Sequence, residues 1–527
     1  LASAKTFVFD KTGTLTKGSF AVTEIVPDGM TENELLGICA AAETYSTHPI
    51  AQSIIAEGKK RGMSIVMDLV VNHCSDEHEW FRKACEDPDG PYGQYFYIRP
   101  WHEGEKLPNN WRSYFGGSVW EELPGHPDKE YLHLFHKKQP DLNWENPEVR
   151  EEVYKNIRWW MEKGLGGFRI DAIINIKKKL PFQDYPADRS DGMCSVERML
   201  EDAEGIGEFL GEMAEKCFHP YDAFTVGEVF NEKEDEICDF IGENGYFSSM
   251  FDFEETCYGK SEDGWYASKY VLTPEDYKKC IFHTQQKIGE TGLISNIIEN
   301  HDEPRGVCHY ILPEDRCLDS KKLLAGVYFF LRGIPFIYQG QEIGMENMDF
   351  TSMEQIDDIS TIDEYQVALN AGCTEKEALQ AASAFSRDNA RTPVQWNTEK
   401  NAGFTTGTPW LGVNPDYKEI NVESQLTDNG SLLSFYKKMT ALRKTQEYKD
   451  TFVYGSFKPY KEDQENLIAY TRTEEKNILV MGNLQSQPRN VELPGEVKNV
   501  LLNNQEEVQI KNGTISLNPY QFVILEY

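Results

Sequence analysis

The chain has 527 residues, 53 basic and 87 acidic side chains, a formal net charge of −34, and 40% apolar and 12% aromatic residues. That composition supports a folded core and excludes a disordered or collagen-like chain. The negative charge argues against nucleic acid and anionic membranes as partners, because both need basic surface, and the most apolar stretch, LLAGVYFFLRGIPFIY, is broken by Arg332, so no transmembrane span is expected.

The first element in chain order is KTFVFD, an apolar run ending in Asp10 and followed by KTGTLT. It reads as a strand entering a Gly-containing loop. An aspartate at a strand tip beside lysine and hydroxyls is a candidate phosphoryl acceptor, or simply a loop cap. The whole string FVFDKTGTLT resembles the phosphorylation motif of P-type ATPases, and THPIA resembles the His-Pro element of the heavy-metal-transporting branch. The resemblance covers about residues 1–56 and implies Asp10 as the phosphorylated residue. Membrane helices, a TGE loop and a GDG-type loop to hold magnesium are not found in the sequence, so phosphoryl transfer at Asp10 is the least favoured activity.

The text changes near residue 57. Residues 1–62 hold six Lys/Arg and seven Asp/Glu, a net −1 of the −34, and all ten tryptophans lie at or beyond Trp80. Helices are expected near 32–43 and over 49–61, with Pro49 in the first turn of the second. From there a unit recurs: apolar run, acidic residue, loop, helical pattern. SIVMDLVVNH sets Asp68 and His73 at a strand end, GLGGFRIDAI sets Arg169 and Asp171, DAFTVGEVF sets Glu228, and LISNIIENHDEPR sets His301 and Asp302. YFSSMFDFE and GIPFIYQGQEIGM fit the same scheme. Between strands, NPEVREEVYKNIRWWMEKG reads as a helix with Asn146 as N-cap, Pro147 at the first position and an apolar stripe of Val149, Val153, Ile157 and Trp160. Such alternation predicts an α/β fold, a parallel sheet with helices outside, with a (β/α)8-type TIM barrel as the leading form. In a barrel the strand C-termini carry the chemistry.

Any one of these acids is ordinarily a turn or cap residue. Three carboxylates with two histidines and an arginine at strand C-ends form a constellation. Paired carboxylates across a barrel mouth are what glycosidic cleavage needs, one as nucleophile and one as acid. Arg169 shares a strand face with Asp171, because side chains repeat with period two. Glu228 is the expected acid, with its pKa raised by burial and neighbouring carboxylates. Asp302 and His301 are placed to bind sugar hydroxyls.

DLVVNH, GFRIDAI, VGEVF and ENHDEPR resemble the four short conserved regions of the α-amylase family of glycoside hydrolases. NWRSYFGGSVWE, YLHLFHKKQPDLNWENPEVR, RDNARTPVQW and NAGFTTGTPWLGVNPDYKEINV are similar to the oligo-1,6-glucosidase and α-glucosidase branch. The resemblance spans about 57–527. It implies Asp171 as nucleophile, Glu228 as general acid/base and Asp302 as transition-state stabiliser, in hydrolysis with retention through a covalent glucosyl-enzyme. Asp68, His73, Arg169 and His301 match positions that hold the terminal glucose. Arg387 is the preferred match to a substrate-binding arginine, with Arg391 as the alternative. Phe115 and Phe135 line the sugar pocket or belong to the core. Ala172, after the nucleophile, matches a position where small residues go with α-1,4 and valine with α-1,6 linkages. The implied substrate is a short oligosaccharide, with no cofactor and no metal at the site.

The resemblance also implies three parts: an ATPase-like fragment over 1–56, a catalytic barrel over 57–449 with an inserted sub-domain at 74–141, and an antiparallel β domain over 450–527. The family barrel begins with two strands and two helices ahead of DLVVNH, and these are missing from the sequence. KTFVFD is the only candidate to pair beside SIVMDLVV, and a gap is expected between it and PFIYQG. A truncated barrel implies impaired turnover, and a non-catalytic chimera of two gene fragments is the alternative. Eleven cysteines, odd in number and without CxxC spacing, read as reduced, mostly buried thiols of a cytoplasmic protein.

Overall fold

Strands buried on both faces of a parallel sheet read as continuous apolar runs, and SIVMDLV is one. The computed structural model describes residues 6–9, 55, 58–102, 104–189, 191–230, 236–254, 258–261 and 263–527. β1 (Thr6–Phe9) pairs in parallel with β2 (Ser64–Val70), in a register running from Thr6 opposite Ser64 to Phe9 opposite Met67. β2 pairs with β3 (Gly167–Asp171), β3 with β4 (Phe224–Gly227), and β4 with β5 (Ser249–Met250), all parallel. A single bridge from Phe251 to Ser295 leads to β6 (Ser295–Asn296), which pairs with β7 (Ile334–Pro335). TFVF of the expected strand thus takes the place beside SIVMDLV. Among the described residues no ladder joins β7 to β1. The helices expected at 32–43 and over most of 49–61 lie outside the described residues.

The first long helix, α1 (Pro147–Glu162), starts as its sequence dictates. Asn146 accepts from the Glu148 N–H at 2.9 Å, and Pro147 occupies the first turn. Its buried stripe is Val149, Val153, Tyr154, Ile157 and Met161, while Trp160 is only half-buried. α2 (Pro274–Ile288) is closed by a reciprocal capping box between Thr273 and Asp276. α3 (Leu318–Phe329) is apolar all round from Leu323 onward, and that stretch is wholly buried.

The sub-domain after β2 is a three-stranded antiparallel sheet in the order Ile98–Pro100, His126–Leu132, Trp120–Leu123. Its core is shared with the segment after β3: Trp111–Arg112 pairs with Cys194–Ser195, and the Phe182 ring meets Trp111, Trp120 and Tyr97 edge-on at 5.1–5.8 Å. The boundaries 74–141 therefore omit the strand that completes it.

At the C-terminus two antiparallel sheets of five and three strands enclose Leu467, Leu479, Met481, Ile515, Leu517 and Val523. The run FVYGSF splits: FVY ends the helix Lys449–Tyr454, and the strand begins at Ser456. Phe452 is fully buried 4.8 Å from the Phe330 ring, and that packing outweighs the β propensity of the run. This unit is fastened to the barrel. Arg472, wholly buried, donates to Phe330 O and Gly455 O at 2.8 Å each, Tyr470 Oη donates to Val327 O at 2.7 Å, and a Cβ on Gly326 would meet the Phe522 ring at 2.5 Å. The nine described cysteines are free; four are buried, three partly so, and Cys238 and Cys317 are exposed. No helix of the described residues is long and apolar enough to cross a membrane.

Candidate active site

The carboxylates stand where β-strands end. Asp68 lies in β2, Arg169 and Asp171 alternate on β3, Glu228 follows β4, and His301 and Asp302 lie in the loop after β6. Arg169 is the hub. Its Nη1 donates to Asp68 Oδ1 at 2.8 Å and to Asp171 Oδ1 at 2.5 Å, and its Nη2 to Glu228 Oε1 at 2.6 Å. The Arg169 side chain is 7% exposed, and those of Asp68, Asp171 and Glu228 are 7%, 23% and 10% exposed. Parallel register sets this up, since Asp68 opposes Arg169 across β2 and β3.

Glu228 has a second anchor. Ala172 adopts φ 44°, ψ 35°, a left-handed conformation that disfavours a residue with a Cβ. That turn aims its N–H at Glu228 Oε2, 2.8 Å away. Burial pushes the Glu228 carboxyl up; Arg169 opposes, Asp171 and Asp302 add to the rise, and the result is about 7. Asp302 goes the other way. Burial pushes it up too, but His301, Arg391 and Arg387 outweigh burial and hold it well below the usual carboxylate range. Asp302 Oδ2 meets His301 Nε2 at 3.0 Å, and its Oδ1 accepts from Arg391 at 2.7 Å and from Arg387 at 3.3 Å. Both arginines of RDNAR reach the carboxylate, and Arg391 is the nearer.

His73 sits between Asn72 (3.3 Å) and Gln139 (2.9 Å), and burial lowers its pKa against the fields of Asp141 and Asp171, which favours neutral imidazole. Phe135 stacks on Tyr114 at 4.8 Å and meets His73 at 5.2 Å; the Phe115 ring lies 5.1 Å from the Arg387 guanidinium. Both aromatic rings therefore border the site. Asp10 lies outside the described residues.

Three supports escaped the sequence. Asp358 caps α4 (Ile359–Asn370) and accepts from Arg387 Nε at 2.8 Å. A fully buried Lys178–Asp141 pair, 2.7 Å apart and shared with Asn72, underlies His73. Glu299 binds Arg305 at 3.0 Å and the Gly306 N–H at 2.6 Å, fixing the loop that carries Asp302. Each joins residues distant in sequence or hidden in a cap motif; Asn72, Asp141, Glu299, Arg305 and Arg387 lay within motifs already quoted, but their pairings did not.

The alpha-amylase catalytic-domain profile matches residues 37–454, opening ahead of Glu57, and that of the alpha-amylase SusG C-terminal domain matches 467–524. The oligo-1,6-glucosidase of Halalkalibacterium halodurans is 38% identical over 496 residues, 92% of this chain and 86% of the relative. The trehalose-6-phosphate hydrolase of Bacillus subtilis is 36% identical over 493 residues, 91% and 85% of the two chains. Among solved structures, the isomaltulose synthase of Klebsiella sp. LX3 aligns with a TM-score of 0.83 at 33% identity, covering 90% of this chain and 85% of that one.

Proposed function

The chain belongs to the alpha-amylase family of glycoside hydrolases, and from that premise we propose that it is a retaining α-glucosidase acting on terminal α-glucosidic bonds of short oligosaccharides. One observation carries the reading. Adjacent nitrogens of the Arg169 guanidinium hold Asp171 and Glu228 side by side, which favours the short carboxyl spacing of about 5–5.5 Å used for retention. Asp171 Oδ attacks the anomeric carbon as Glu228 gives its proton to the departing glycosidic oxygen. Glu228, now a carboxylate, then takes a proton from water, whose oxygen displaces Asp171 and releases glucose. A carboxyl near 7 suits both halves of that cycle. Asp302, kept ionised by its contact with His301 and by Arg391 and Arg387, binds hydroxyls of the terminal glucose, with Asp68, His73 and His301 around it.

The test is hydrolysis of p-nitrophenyl α-glucoside. Asp171→Asn should lower turnover by several orders of magnitude, and a fluorinated glucosyl fluoride should leave a covalent adduct on Asp171. An adduct elsewhere, or near-normal turnover of the variant, overturns the assignment. Ala172 supports acceptance of α-1,4 bonds, so Ala172→Val should raise the isomaltose-to-maltose rate ratio. The second reading, a crippled or non-catalytic chain, draws on the absence of a ladder between β7 and β1 among the described residues. It predicts turnover no higher than that of Asp171→Asn.

A further inference from the structure

A chamber of about 490 Å³ opens beside the catalytic cluster, within the roughly 300–1,000 Å³ usual for small-molecule sites. Its walls come from residues 112–114 and 116 of the inserted sub-domain, from 188–189, 195–198 and 201, from 260–261 and 264–265, and from Asp363 and Glu364 of α4. It adjoins the cluster at two points. Phe115, between wall residues Tyr114 and Gly116, lies under Arg387, which holds Asp302. Lys260 of the wall pairs at 3.1 Å with Glu303, the residue after Asp302.

Every cation of the lining is already matched. Arg112 is held by Asp188 at 2.7 Å and Asp191 at 3.0 Å, Arg198 by Glu201 at 3.4 Å, and Arg189 by Glu364 at 3.7 Å. The Asp363 side chain makes no ion pair or hydrogen bond among the described residues, although Arg189 and Arg112 are near enough to act on it, and the residue is half-buried. Its carboxylate lies against Gly116, where a Cβ would come within 2.8 Å of it. The lining therefore carries a surplus of negative charge. A phosphate entering it would find no spare ammonium or guanidinium, the groups that bind phosphate oxygens, and would face Asp363 instead. Repulsion of this kind discriminates between ligands as effectively as attraction does.

Resting on the hydrolase reading, we propose that this chamber receives the leaving half of the substrate, and that Asp363 and the carboxylate surplus around it make the protein select uncharged over phosphorylated leaving groups. The matched probes are phenyl α-glucosides carrying a para hydroxymethyl or a para phosphonomethyl group. The hydroxymethyl compound should have at least a tenfold higher kcat/KM. Asp363→Asn should narrow that ratio at least threefold, and Asp363→Lys should narrow it further. Equal kcat/KM values, a preference for the phosphonate, or a ratio unmoved by both variants would overturn the proposal. Binding of the two compounds to Glu228→Gln, read by calorimetry, separates the two levels. Tenfold tighter binding of the hydroxymethyl compound with no wild-type turnover sinks the hydrolase reading and keeps the chamber's preference, whereas equal affinities sink the preference itself.

Discussion

Replacing Arg169 by methionine removes the one cation that Asp68, Asp171 and Glu228 share. Methionine fills much of the volume, so the change is chiefly one of charge. Breaking a buried ion pair by deleting one partner costs about 3–5 kcal/mol, a large share of a total stability of about 5–15 kcal/mol. The loss should depend on pH, and its sign follows from Glu228. Burial raises that carboxyl and Arg169 is the largest opposing influence, so in Arg169→Met it rises beyond about 7. A carboxyl with a raised folded-state pKa keeps its proton where the unfolded chain has released it, so the folded form gains as pH falls. Urea unfolding should therefore show a deficit of about 3–5 kcal/mol at pH 8 and one smaller by at least about 1 kcal/mol at pH 5, since one pKa step is worth about 1.4 kcal/mol. Turnover of p-nitrophenyl α-glucoside should fall at least a hundredfold. Equal deficits at the two pH values, or a deficit under about 1 kcal/mol at pH 8, would refute the account of Arg169 as the charge hub.

Wild-type kcat/KM should decline as pH rises through about 7, where Glu228 loses its proton; Glu228→Gln should abolish that limb and lower activity at least a hundredfold, within the range of acid/base contributions, and azide should partly rescue Glu228→Ala. Arg391→Gln should impair glucose inhibition and turnover more than Arg387→Gln, because Arg391 is 2.7 Å and Arg387 3.3 Å from Asp302; steady-state kinetics on both variants gives the order. Lys178→Met strands Asp141 without its buried partner and should cost about 3–5 kcal/mol in a denaturant titration, whereas the double variant with Asp141→Asn should recover part of that loss.

The carboxylate constellation was legible because strand periodicity is short-range. Apolar runs that end in acids locate Asp68, Asp171 and Glu228 without knowledge of the rest of the chain. Arg169 was legible as a partner of Asp171, two residues away, but its bonds to Asp68 and Glu228 need the parallel register of three strands. That both Arg387 and Arg391 reach Asp302 depends on the path of a short helix after Arg387, which spacing does not reveal. Asp358 is a helix cap; its second task of holding Arg387 is purely tertiary. FVYGSF has the composition of a strand, yet Phe452 lies in a helix, packed against the Phe330 ring. The inserted sub-domain was bounded through the family resemblance, which does not show that Cys194–Ser195 returns to pair with Trp111–Arg112.

The fastening of the C-terminal sheets has a consequence for how such chains can be rearranged. Arg472 gives its donors to main-chain oxygens on both sides of the seam, Tyr470 reaches a helix carbonyl, and Phe522 occupies the space a side chain at 326 would need. Carbonyl acceptors offer no residue identity to tune, so any replacement sheet must deliver a guanidinium and a phenol at the same places. The steric half of the joint is likewise set by the absence of a side chain on the other unit. The two parts are therefore interlocked rather than interchangeable: a graft of one onto a foreign partner leaves Arg472 with the Gly455 oxygen alone and bares the carbonyls of Val327 and Phe330, and the seam is a poor place for a hinge, a protease cut or a fusion point.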